Sequence, residues 1–82
     1  MKVLLKSKEL RAHIARRNIT NNAFARKASI SSGHLSLLLA GNRNPRADVR
    51  RRLLAATERL DGSRMSFDDL FEIVEIDNSN GR

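Results

Sequence analysis

At 82 residues with no cysteine, the chain has room for one small domain and no means to build it on disulfides or thiolate-bound zinc, which fits a cytoplasmic protein held together by packing. No apolar run approaches the roughly 18 residues of a membrane span, and Met1 to Leu5 is too short for the apolar core of a signal peptide. Basic residues outnumber acidic ones 16 to 9, for a net charge of +7, so the expected partner is an anion.

The first stretch, MKVLLK, carries Val3, Leu4 and Leu5 in a row, which does not choose between an extended strand and a helical lead-in. Ser7 can then cap a helix running to about Arg17. In it Leu10 and Ile14 face inward, His13 lies at the edge of the buried stripe, and Arg11, Arg16 and Arg17 face outward. Asn18 is the expected stop.

Thr20 to Gly41 reads as two short amphipathic helices joined by a tight turn. Thr20 is a good N-cap residue, with Ile19 and Phe24 as a hydrophobic staple and Phe24 and Ala28 facing inward. Ala25 offers a small side chain where helices must cross closely. Ser31 caps the second helix, Ile30 and Leu35 staple it, and Leu35, Leu38 and Leu39 form one buried stripe at i, i+3 and i+4. Gly41 with Asn42 can close that helix through a left-handed residue. Only Ser29, Ile30 and Ser31 remain to turn the chain, the length used in a helix-turn-helix unit.

With the leucines inward and about 100° per residue, Gly33 and Leu37 point most directly away from the body, flanked by His34, Ser36 and Ala40. An ordinary solvated face would carry Lys and Glu. This one is small, lightly polar and almost uncharged, as entry into a DNA groove requires. The alternatives are an idle exposed helix or a protein contact centred on Leu37.

After Gly41 the loop NRNPR places Pro45 where it blocks helix continuation. Ala47 to Leu60 predicts a fourth helix, with Val49, Leu53, Ala56 and Leu60 on one face and Asp48 near its positive end. Arg50, Arg51 and Arg52 span about 200° of that helix and cannot all meet one phosphate strand. Asp61, Gly62 and Ser63 form a turn. Ser66, with Asp69 as a partial capping box and Met65 stapled to Leu70, opens a fifth helix whose apolar residues are Phe67, Leu70, Phe71 and Val74. That is more apolar surface than one short helix on a small domain can hide, so Phe67, Leu70 and Phe71 are candidates for a homodimer contact, with core packing as the alternative. The folded unit is expected to span 1–76, and 77–82, DNSNGR, to fray.

Charge divides along the chain. Residues 1–60 hold 14 basic and 3 acidic residues, net +11, whereas 61–82 hold 2 basic and 6 acidic, net −4. A polyanion would be drawn to the part that contains the helix pair, although charge runs can also merely solvate. Other chemistry is missing. His13 and His34 lie on different helices without a metal-ligand spacing, there is no phosphate-binding glycine loop or nucleophile elbow, and no Trp or Tyr forms a stacking platform. Neither a catalytic centre nor a metal or cofactor is expected.

The spacing Ala25, x3, Ser29, Ile30, Ser31, x3, Leu35, Ser36, x4, Gly41 resembles the phage-repressor and Cro-like (XRE-type) helix-turn-helix pattern A-x3-G-[VI]-S-x3-[IVL]-S-x4-G, and the resemblance covers roughly Leu10 to Leu60. Two positions depart from it: Ser29 stands where the family has Gly, and Asn21 where relatives often carry Gln. The resemblance implies an all-α, lambda-repressor-like bundle of about five short helices that binds double-stranded DNA with the Ser32 to Ala40 helix in the major groove. Base-edge contacts are then expected from Ser32, Gly33, Ser36 and Leu37, with His34 at the edge. By the same resemblance Asn21 clamps the phosphate backbone and Asn42, Arg43 and Arg46 form a basic loop along it. Asn22 at a helix start and the Ser31 hydroxyl are further backbone contacts, while Arg26 and Lys27 are expected to be solvated. The role implied is a transcriptional regulator, most simply a repressor that occupies a promoter as a homodimer. Two alternatives stay open: the antitoxin half of a toxin-antitoxin pair, with a protein partner on the Phe67 to Val74 helix, or a basic RNA-binding protein.

Overall fold

A computed structural model describes residues 2–62 and 64–75. Met1, Ser63 and the predicted frayed tail, 77–82, lie outside the described residues, as does residue 76. The element order is β1 (Lys2–Leu5), α1 (Ser7–Arg16), α2 (Asn21–Lys27), α3 (Ser32–Leu39), α4 (Ala47–Asp61), α5 (Phe67–Leu70) and β2 (Phe71–Val74).

The helix limits follow from local hydrogen bonding. The Thr20 hydroxyl accepts from the Ala23 N–H and the Ser31 hydroxyl from the His34 N–H, so each satisfies a donor that its helix start leaves free. At the end of α3, Gly41 takes φ 80° and donates to the Leu38 carbonyl while Asn42 donates to Leu37, the paired closure expected of a left-handed residue after a helix. Asn18 ends α1 in the same region at φ 55°. Ser7, expected as a cap, is instead inside the first turn of α1, and Lys6 precedes it with no side-chain cap.

Inside, Phe24, Leu10, Leu35, Leu38 and Leu53 are fully buried, joining α1 to α4 in one core. A polar residue shares it. Thr57 is 0% exposed, and its hydroxyl donates to the Leu54 carbonyl at 2.6 Å while accepting from the Met65 N–H at 3.1 Å. Thr57 therefore ties the segment entering α5 to α4. Thr57→Val keeps the shape and leaves the Met65 N–H without its acceptor, so the urea midpoint is expected to fall by the equivalent of about 1–3 kcal/mol.

The all-α expectation is overturned by the two ends of the chain. Lys2–Leu5 and Phe71–Val74 form a two-stranded antiparallel sheet with Val3 opposite Ile73 and Leu5 opposite Phe71. The fifth helix stops after four residues, and Phe71 turns extended at φ −131°, ψ 157°. The reason is pairing: β1 needs a partner for its backbone groups, and β-branched Ile73 and Val74 suit a pleated strand. The Lys6 N–H continues the seam by donating to the Leu70 carbonyl at 2.7 Å. Both bonds of the Ser66–Asp69 capping box are formed. The Ser66 backbone N–H, then the Ser66 hydroxyl, hold the Asp69 carboxyl below its ordinary range, with Lys6 adding to the effect.

Two of the residues expected at a dimer contact belong to the core instead. Leu70 is 0% and Phe71 1% exposed, because the turn from α5 into β2 directs both beneath the helices. Phe67 is half-buried, its ring centroid 5.1 Å from that of Phe71.

Candidate nucleic-acid interface

The buried stripe of α3 sets its orientation. Leu35, Leu38 and Leu39 are at most 6% exposed, which leaves Ser32, Gly33, Ser36 and Leu37 on the open side and His34 half-buried at the edge. Leu37 is 41% exposed, and it and Ile73 are the large apolar residues found at the surface among the described residues. A Cβ built on Gly33 would meet nothing within 4 Å. The presented strip is thus slim and free of Lys, Arg, Asp and Glu over the whole of α3.

Arginines stand on either side of its first turn, three in one hollow and one in the other. A half-open cleft of about 860 Å³ runs between the start of α3 and the start of α4, lined by Arg43, Arg46 and Arg52 with Ser31 and His34 on the α3 side. A shallower hollow of about 290 Å³ lies on the α2 side, where Asn22 and Arg26 face Ser31 and Ser32. Ile30 and Ser31 belong to both, so the turn forms a ridge between two cationic hollows. Asn21 and Asn42 are exposed, at the start of α2 and after α3, but line neither hollow. Of the expected backbone contacts, the structure therefore brings Ser31, Arg43 and Arg46 together, and places Asn22 across the ridge.

Several arginines act on the frame that holds this surface. Arg52 donates to the Ser29 carbonyl at 3.3 Å and Arg59 to the Lys27 carbonyl at 2.8 Å, both at the C-terminal end of α2. Arg11 donates to the Leu39 carbonyl at 3.2 Å, at the C-terminal end of α3. Cations suit these positions, since the last carbonyls of a helix lack intrahelical donors and carry the negative end of its dipole. The excess of basic residues thus has a structural share that composition does not separate from an electrostatic one. Ser29 takes φ 59° in the turn, where a non-glycine residue is strained by about 1–2 kcal/mol. The Arg52 bond to its carbonyl helps to hold that conformation.

Arg26, expected in solvent, is exposed and also lines the hollow on the α2 side, while Arg52 lines the cleft. Arg26 was within reach, because it lies four residues after Asn22 on the same helical face. Arg52 was not, since its neighbours Ser29 and Arg43 come from other elements.

Among the described residues, no group of three or more His, Cys, Asp or Glu could hold a metal ion, and no helix is long and apolar enough to cross a membrane. Comparisons with protein-family models, curated proteins and solved structures find no match to the chain.

Proposed function

We propose that the chain binds double-stranded DNA in a sequence-dependent way, with α3 in the major groove, and regulates transcription, most simply as a repressor that occupies a promoter. The observation that carries this reading is the uncharged, exposed strip of α3 set between two cationic hollows. A helix in a major groove has a phosphate strand on each side and base edges in front, and those three surroundings call for cations, cations and short neutral side chains. The spacing from Ala25 to Gly41 that resembles the phage-repressor and Cro-like pattern supports the same placement.

In this reading Ser32, Gly33, Ser36 and Leu37 meet base edges, with His34 beside them. Ser31, Arg43 and Arg46 hold one strand, while Asn21, Asn22 and Arg26 approach the other. Asn42 extends the loop contact. One short helix reads only a few base pairs, so useful specificity calls for a homodimer on half-sites about 34 Å apart or a multiple of that. Phe67, half-buried beside the sheet, is the member of the expected dimer set still able to touch a second copy.

The test is selection from random duplex DNA, followed by binding of two variants over a series of salt concentrations. Arg43→Ala is expected to weaken binding to every sequence and reduce the salt slope by about 1. Leu37→Ala is expected to leave that slope intact and change which base is preferred at one position, by about 1–3 kcal/mol. Identical behaviour of the two variants would contradict the division of roles. Failure to enrich any duplex, with retention of structured RNA, would replace the reading by the RNA-binding one, and a stable complex with a second small protein would favour the antitoxin one.

A further inference from the structure

We propose that the cleft between the starts of α3 and α4 binds a small phosphorylated ligand of the nucleoside-monophosphate class, its phosphate on Arg43, Arg46 and Arg52 and a hydrogen-bond donor of its body on Asp48. Three guanidinium groups line this one hollow. Among the described residues the Arg43 and Arg46 guanidinium groups make no hydrogen bond or ion pair, and that of Arg52 donates only to the Ser29 carbonyl. Like charges collected in this way repel until an anion joins them, and a guanidinium presents paired donors that match phosphate oxygens.

The rest of the lining separates a small molecule from a bare backbone phosphate. Ile30, half-buried, and Val49, 6% exposed, are the apolar side chains among the residues that line the cleft. A base or ring can rest against the part of them left open, which a strand held through its phosphates does not need. Asp48 lies on the same wall and pairs with none of the arginines among the described residues. Its carboxylate accepts from an amino or hydroxyl group, a donor that a backbone phosphodiester does not offer. About 860 Å³ is room enough for a small molecule, in a half-open cleft whose lining is mostly polar, so the binding is expected to rest chiefly on the phosphate. The ligand shares Ser31, His34, Arg43 and Arg46 with the DNA contacts proposed above. If that reading holds, the ligand and a duplex exclude each other, and the DNA-binding surface itself responds to a metabolite.

The experiment is an amide-resolved NMR titration of the full chain with AMP, GMP, CMP, UMP, the four nucleosides and inorganic phosphate, with duplex binding measured separately. At least one monophosphate is expected to shift the Ser31, His34 and Val49 amides and to saturate at a concentration tenfold or more below inorganic phosphate. The exposed double variant R43Q/R46Q is expected to raise its Kd tenfold or more, and Asp48→Ala, which removes the acceptor, to cut its advantage over inorganic phosphate at least threefold. The proposal is overturned if no monophosphate saturates below inorganic phosphate, or if Asp48→Ala leaves the preference unchanged. Saturation by a monophosphate without any duplex binding keeps the ligand site and removes the DNA reading. Duplex binding without monophosphate saturation does the reverse.

Discussion

Gly33→Leu is expected to abolish specific DNA binding while making the free protein slightly more stable. Gly33 occupies the second position of α3, and a Cβ there meets nothing within 4 Å, so the larger side chain extends into solvent. Replacing glycine within a helix removes backbone freedom from the unfolded chain and stabilises by about 0.5–1 kcal/mol. The cost falls only on a complex in which something approaches that face. With α3 in a major groove, the added carbons occupy the space of a base edge, and the helix must withdraw from every contact around it. A loss of about 100-fold or more, about 2.7 kcal/mol, follows from displacing even two or three such contacts. Urea unfolding and duplex binding by anisotropy, measured on one preparation, separate the two effects. Full-strength binding by the variant would mean that the open face of α3 does not meet DNA.

Phe71→Ala is expected to cost about 3–5 kcal/mol of stability, independently of protein concentration. The ring is 1% exposed and stands at the first residue of β2, so its removal opens a cavity between the sheet and the helices. Small domains have only about 5–15 kcal/mol in hand, and a loss of this size leaves a substantial fraction unfolded at 37 °C. The concentration series decides between core and interface. A side chain at a dimer contact would lower the melting temperature of the dimer and leave the dilute monomer untouched. Phe67→Ala, which gives up a half-buried ring and one aromatic pair, is the graded comparison, with the pair itself contributing about 0.5–1.5 kcal/mol.

Several features were legible because the forces behind them act within four residues. Thr20, Ser31 and Ser66 cap helices by accepting from N–H groups three positions on, and Gly41 closes α3 by donating to Leu38, three positions back. The leucine stripe of α3 follows from helical geometry once the helix exists, and it leaves Gly33 and Leu37 on the outside. The end of the chain was ambiguous for a definite reason. Phe67, Leu70, Phe71 and Val74 fit a helical period, while Phe71 and Ile73 equally fit an alternating one. The deciding partner, β1, lies more than sixty residues earlier. The same distance hid Arg52 and Arg59, whose acceptors are more than twenty residues away.

By itself, then, the sequence determined the caps at Thr20, Ser31 and Ser66, the leucine stripe and the uncharged character of α3, because each arises from neighbours along about one turn of chain. Tertiary structure decided which end of the chain became a strand, which phenylalanine became core, and which arginines face one cleft together. Those outcomes depend on groups that meet only after the chain has folded back on itself, where burial and backbone pairing outweigh local preference.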